Sequence, residues 1–194
     1  MVQSLTSAKS KFLSLSISVL SLTIIWPFQA VAYDEAQLTR FKAIKKCRSC
    51  DLSSANLSVW YQKHKENLAR ADLEGANLTG ANLSKVYLYE ANLNGADLTG
   101  ANLTGADLRL ANLYKADLYE ANLTGASLRG ANLGYANLKG ANLTGADLRT
   151  ELDLYKADLS NADLTGANIE GADFRDAIFC NTKTPWGLEN IGCE

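Results

Sequence analysis

The sequence predicts an all-β solenoid, a quadrilateral parallel β-helix introduced by a short α-helix. From Leu68 to Leu148 a leucine stands at every fifth position. Alanine stands two places before almost every one, with asparagine or aspartate between. An α-helix turns about 100° per residue and a strand alternates its faces, so neither keeps residues five apart on one side. A chain that corners every five residues does, and four such sides per circuit bring the leucines to one axis. Many units also end in Thr-Gly, as at Thr104-Gly105 and Thr124-Gly125, which places glycine where a type II turn requires positive φ. Bulkier endings such as Arg109-Leu110 and Tyr119-Glu120 are expected to use other turns.

The elements follow in order. Residues 1–32 read as a cleaved secretory signal: Lys9 and Lys11 precede an uncharged run from Phe12 to Ile25, and Ala30-Val31-Ala32 forms the cleavage site. The run is short against the roughly 20 residues of a membrane span, so an uncleaved anchor is the weaker reading and no stable insertion is expected after cleavage. No cysteine adjoins the site for lipidation, and no twin-arginine pair is present. The leader carries two lysines and no acid, so its removal shifts the net charge from −2 to about −4. That balance argues against nucleic-acid binding by bulk charge. Residues 33–46 form the capping helix, with Leu38, Phe41 and Ile44 three apart, acids at the start and Lys45 and Lys46 at the end. A solenoid needs its open apolar end covered, and this helix is the lid.

The repeats occupy 47–179. They begin at Cys50-Asp51-Leu52 and Ala55-Asn56-Leu57, but Leu57 to Leu68 is a step of eleven where two repeats need ten. The segment 58–66, with Trp60, Tyr61 and His64, is therefore read as a bulged or looped-out coil. A second one-residue slip falls around Thr150-Glu151-Leu152-Asp153, after which Leu159, Leu164, Ile169, Phe174 and Phe179 resume the period. Residues 180–194 form a disulfide-closed cap. Four cysteines allow three pairings. The ends of a stacked coil lie farther apart than the roughly 7 Å a disulfide tolerates, so Cys47 is expected to pair with Cys50 and Cys180 with Cys193. A redox Cys-x-x-Cys is the sharper alternative, though no thioredoxin-like βαβ unit is readable, and a metal site with His64 is weaker still.

Units such as Ala101-Asn102-Leu103-Thr104-Gly105 and Ala141-Asn142-Leu143-Thr144-Gly145 resemble those of the pentapeptide repeat proteins, over nearly all of 47–179. The resemblance implies a right-handed four-sided β-helix with Leu and Ala inward. The leader, the Cys-x-x-Cys-Asp-Leu entry and the Phe179-Cys180-Asn181-Thr182 exit look most like exported cyanobacterial members, in thylakoid lumen or periplasm. Some members imitate DNA and bind gyrase or other topoisomerases. That alternative needs a strongly negative cytoplasmic rod, which the leader and the arginines oppose.

Residues twenty apart stack, so the exterior reads as columns. Ser84, Thr104, Thr124, Thr144 and Thr165 form one, beside Asn82, Asn102, Asn122, Asn142 and Asp163; these read as supporting ladders, or as a match to ice or sugar spacing. Tyr89, Arg109, Arg129 and Arg149 form another, either neutralised by Asp107 and Asp147 or awaiting an acidic partner. Adjacent columns hold Tyr114, Tyr119, Tyr135 and Tyr155 with Lys115 and Lys156, either as good strand residues or as contact anchors. Trp60 and Tyr61 in the insertion are the other candidate contacts, or a tolerated excursion. One histidine, His64, supplies no catalytic constellation, and no cofactor or metal is implied. The favoured reading is a non-enzymatic exported solenoid that binds an unidentified protein or an envelope or lumen component, as a monomer or a weak end-to-end oligomer.

Overall fold

The computed structural model describes residues 34–64 and 68–193. The side chains of 60 and 62–64 lie outside that description, as does the leader expected over 1–32. Asp34 accepts hydrogen bonds from the Ala36 and Gln37 amides and so starts α1, Glu35–Ile44. The helix ends where Lys45 turns left-handed at φ 54° and its amide donates to Phe41 O. Leu38 and Phe41 are its buried face and join the same apolar cluster as the repeat leucines. Gln37 Oε1 accepts the Asp51 amide at 2.8 Å, which ties the helix to the first coil.

Parallel bridges then join residues twenty apart: Asp72 with Asn92, Asn77 with Asp97, Asn82 with Asn102 and Tyr87 with Asp107. Those four pairs mark the first to fourth sides of one circuit. The leucines and alanines at the inward repeat positions of every circuit from Leu68 to Leu164 are buried at 0–1% exposure. Each such leucine is worth roughly 1.5–3 kcal/mol of burial, and the alanine beside it lets the narrow coil close.

The unit 101–105 shows why polar residues recur between alanine and leucine. Ala101 N donates to Leu98 O across the turn, Asn102 N to Ala81 O in the coil before, and Leu103 N and Gly105 N to Asn122 O and Thr124 O in the coil after. The remaining donor, Thr104 N, reaches the Asn102 side chain, Oδ1, at 3.1 Å. All five amides are therefore satisfied, one of them by a side chain that only asparagine or aspartate supplies at that reach. The same bond recurs on every side, for instance at Asn112, Asn77, Asn122 and Asp147 on the first to fourth. In the column Asn82 to Asn142 the amide oxygens serve these local turns, while on the first side Asn92 Oδ1 accepts both its turn amide and the Asn112 side chain of the next coil. Asn122→Ala, which strands the Thr124 amide, is expected to lower stability by about 1 kcal/mol in urea denaturation, whereas Asn122→Asp keeps the acceptor and most of the stability.

The corners differ from expectation. Leu110 and Glu120 have φ of 58° and 54°, beside 63° at Gly105, so bulky endings turn as the glycine endings do. Ladders above and below hold each corner: Leu110 N donates to Arg129 O in the coil after, and Arg109 O accepts from Glu90 N in the coil before. The backbone is set by neighbouring coils, and the side chain accepts the left-handed strain.

The insertion is also corrected. Asn56 bridges Asn82, twenty-six residues on, so the circuit that starts at Asn56 is six residues longer than the regular twenty. Within the predicted bulge the described residues form helix α2, Leu57–His64, not a loop. Asn56 Oδ1 accepts the amide of Val59, three residues on, at 3.1 Å. That is N-cap geometry, and it diverts the turn into a helix. The second slip sits at a corner: Ser127 bridges Asp147 twenty residues on, while Asn132 bridges Asp153 twenty-one on. Thr150 and Glu151 both take positive φ to absorb the extra residue.

The chain closes in an antiparallel hairpin, β1 (Phe179–Thr184) with β2 (Gly187–Ile191). β1 continues the coil, with Lys183 bridged to Asp163 and Thr182 Oγ1 donating to Leu159 O. Disulfides join Cys47 to Cys50 and Cys180 to Cys193, with Cα separations of 5.4 and 4.9 Å. Among the described residues no helix is long and apolar enough to cross a membrane.

Candidate interaction surface

Tyr89, Arg109, Arg129 and Arg149 each follow a fourth-side leucine by one place, so they stack at the corner between the fourth and first sides. Where aspartate stands two residues before arginine, the two pair. Arg109 donates from Nε and Nη2 to Asp107 at 2.8 and 2.6 Å, and Arg149 to Asp147 at 2.9 and 2.9 Å. Ser127 holds the equivalent place before Arg129, which makes no ion pair among the described residues. The expected neutralisation is direct for the outer two arginines, whereas Arg129 acts on Asp147 only through space. The Arg109 guanidinium also lies 5.7 Å from the Tyr89 ring, which stacks on Tyr87 at 6.0 Å.

The Arg149 hydrogen bond holds the Asp147 carboxyl below its ordinary value, and the Arg175 hydrogen bond does the same for Asp173. A carboxyl depressed in the fold contributes stability that is complete above its unfolded value and is lost as pH falls through the folded one. Arg149→Gln is expected to raise the Asp147 midpoint in carboxyl-carbon NMR titration and to leave Asp173 unchanged.

The next corner, between the first and second sides, carries Tyr114, Tyr135 and Tyr155. Their rings meet edge to face at 5.5 and 5.6 Å. Gly134 permits this, since a Cβ there would come within 3.3 Å of Tyr114 Cδ2. Lys115 Nζ lies 5.2 Å from the Tyr114 ring, and Lys156 Nζ lies 5.7 and 5.1 Å from Tyr135 and Tyr155. The first side thus runs between an arginine corner and a tyrosine–lysine corner, with Asp72, Asn92, Asn112, Asn132 and Asp153 along its middle. Tyr119 does not join this group. It stands one corner further on, where a hydrogen bond to Glu120 raises its phenol.

The insertion divides likewise. Tyr61 is partly buried and packs against the apolar core. The Trp60 side chain lies outside the described residues, while Val59 is exposed. A larger hollow of about 750 Å³ lies at α1, with Gln37, Arg40, Ile44 and Arg48 among its walls. Arg48 there is tied to Asp72 and Glu74 at 2.6 and 3.2 Å.

Two contributors escaped sequence reasoning. Tyr87 occupies a place that normally holds asparagine or aspartate, and Leu110 is a leucine outside the five-residue register, 47% exposed at the arginine corner. Departure from the repeat was the available signal for both.

A family model for pentapeptide repeats matches the chain in eight copies, over 67–105, 91–130, 121–149 and 150–182, which is more than half of its length. The chain belongs to the pentapeptide repeat family. Membership implies a right-handed β-helix, in keeping with the parallel bridges. Among solved pentapeptide repeat proteins it is similar to HetL of the cyanobacterium Nostoc sp. Strain PCC 7120, described as involved in heterocyst differentiation regulation. Identity there is 35%, coverage 61% of this chain and 65% of HetL, and the TM-score 0.44. Rfr23 of the cyanobacterium Cyanothece 51142 is 29% identical, with 73% and 92% coverage and a TM-score of 0.47. A pentapeptide repeat protein of the Arabidopsis thaliana thylakoid lumen is 36% identical, with 55% and 66% coverage and a TM-score of 0.32. The chain spans less than two thirds of HetL and of the Arabidopsis protein. No curated protein matches it.

Proposed function

We propose that this pentapeptide repeat protein is a non-enzymatic binding or scaffolding solenoid, exported to a thylakoid lumen or periplasm, that holds a protein partner on its first side. The observation that carries the reading is the pair of corners flanking that side. Tyrosine and arginine, the residues most often found at interface hot spots, recur there coil after coil although the core and the ladders do not need them. Two disulfides and the leader-like residues 1–32 support export, with α1 and the C-terminal hairpin as end caps. The DNA-mimic reading needs an acidic exterior, which the Arg109, Arg129 and Arg149 corner opposes; absence of gyrase inhibition in a supercoiling assay removes it.

The test is affinity recovery from a lumenal or periplasmic extract, comparing the wild type with Arg109→Glu/Arg129→Glu/Arg149→Glu and with Tyr114→Ser/Tyr135→Ser/Tyr155→Ser. Loss of the same recovered protein with either triple variant is the expected result. Unchanged recovery with both removes the first side as the contact surface.

A further inference from the structure

The arginine corner contains a hollow of about 240 Å³ whose walls include Tyr89, Leu110, Arg129, Gly130, Thr150 and Glu151. Three features shape it. Arg129 stands between two arginines that hold their own aspartates; its charge reaches Asp147 of the next coil only at long range, and no carboxylate of the described residues lies within ion-pair distance of its guanidinium. Leu110 lies across Gly130, where an added Cβ would meet Leu110 Cδ2 at 2.6 Å, and this gives the hollow an apolar floor against the backbone. The one-residue slip doubles the left-handed turn at Thr150 and Glu151, which forms the far wall.

We infer that this hollow is a docking notch for a protein segment presenting an acidic side chain next to an apolar one. The inference rests on the first-side reading above and narrows it to one corner. A guanidinium offers a planar fork of donors that fits a carboxylate with two parallel hydrogen bonds. The Tyr89 ring and the Leu110 methyls provide apolar area beside it, of a size to take one or two side chains. Glu151 carries a negative charge on the opposite wall, so a second acid at that end of the segment is repelled and a neutral or basic residue is favoured.

The experiment is selection of displayed random heptapeptides on the intact protein, followed by fluorescence anisotropy with the synthetic consensus peptide. The expected consensus pairs Asp or Glu with an adjacent Leu, Ile, Phe or Tyr. Its affinity should fall at least tenfold on Arg129→Gln and on Leu110→Ser. Both residues are exposed, so neither change threatens the core. Lys139→Gln, on the second side, should leave it unchanged. A consensus without an acid, equal binding to Arg129→Gln, or no enrichment at all overturns the notch. A consensus that is lost on Tyr135→Ser but kept on Arg129→Gln overturns the notch while leaving the first side as the contact surface.

Discussion

Leu113→Ala lowers the unfolding free energy by about 3 kcal/mol, within the range for buried leucine truncations. Leu113 is fully buried, and the walls around it cannot close in. Asn112 N is bonded to Ala91 O in the coil before, and Leu113 N to Asn132 O in the coil after, so collapse into the hole means breaking ladders. The cavity therefore persists and the full cavity term is felt. Leu110→Ala removes the same atoms from a corner that is 47% exposed and is expected to cost under about 1 kcal/mol. Urea denaturation followed by circular dichroism measures both. Equal losses at the two positions would contradict a leucine-filled axis. Because each coil touches only its neighbours, the Leu113 loss should also weaken amide protection in the coils on either side before it reaches the ends.

Cys180→Ser/Cys193→Ser is expected to free the second strand of the hairpin and to lower the stability of the C-terminal end by about 3 kcal/mol, the chain-entropy value for a loop of this length. The two strands are not held alike. β1 is bonded into the coil through Leu164 N to Lys183 O and Lys183 N to Ala162 O. β2 has only β1 and the disulfide, and its Leu188 and Ile191 are exposed. A two-stranded hairpin is marginal by itself in water. Hydrogen exchange in the double variant should accelerate at Gly187–Ile191 while Lys183 stays protected. Uniform loss across both strands would show instead that the bridge holds β1 in place. The Cys47–Cys50 bridge closes a much shorter loop, so Cys47→Ser/Cys50→Ser should cost about 2 kcal/mol.

Much of the architecture could be read in the residues because the repeat is itself a geometric constraint. Leucine every fifth place admits few backbones, and Ala-Asn-Leu-Thr-Gly names its own inward and outward positions. Both slips were visible as lost register. What lies in them was less legible: the segment after Leu57 has weak helical patterning, and its helix begins because the Asn56 side chain caps the Val59 amide. The Asn and Asp positions were seen, but their partner is a backbone amide two residues on that sequence alone does not display. On the surface, residues twenty apart do stack as columns, yet Tyr119 stands at a different corner from Tyr114, Tyr135 and Tyr155, and Tyr61 is partly buried against the core.

The sequence by itself determined the coil, its inward face, its interruptions and the pairing of its cysteines, since each follows from spacing along the chain. The tertiary structure alone decided which side groups are left unmatched. Arg129 has no carboxylate at ion-pair distance because Ser127 replaces an aspartate beside it while coils on either side keep theirs, and Leu110 and Glu120 hold left-handed corners because ladders from neighbouring coils outweigh their own preference. These outcomes depend on contacts between residues about twenty apart, whose energies local propensity does not contain.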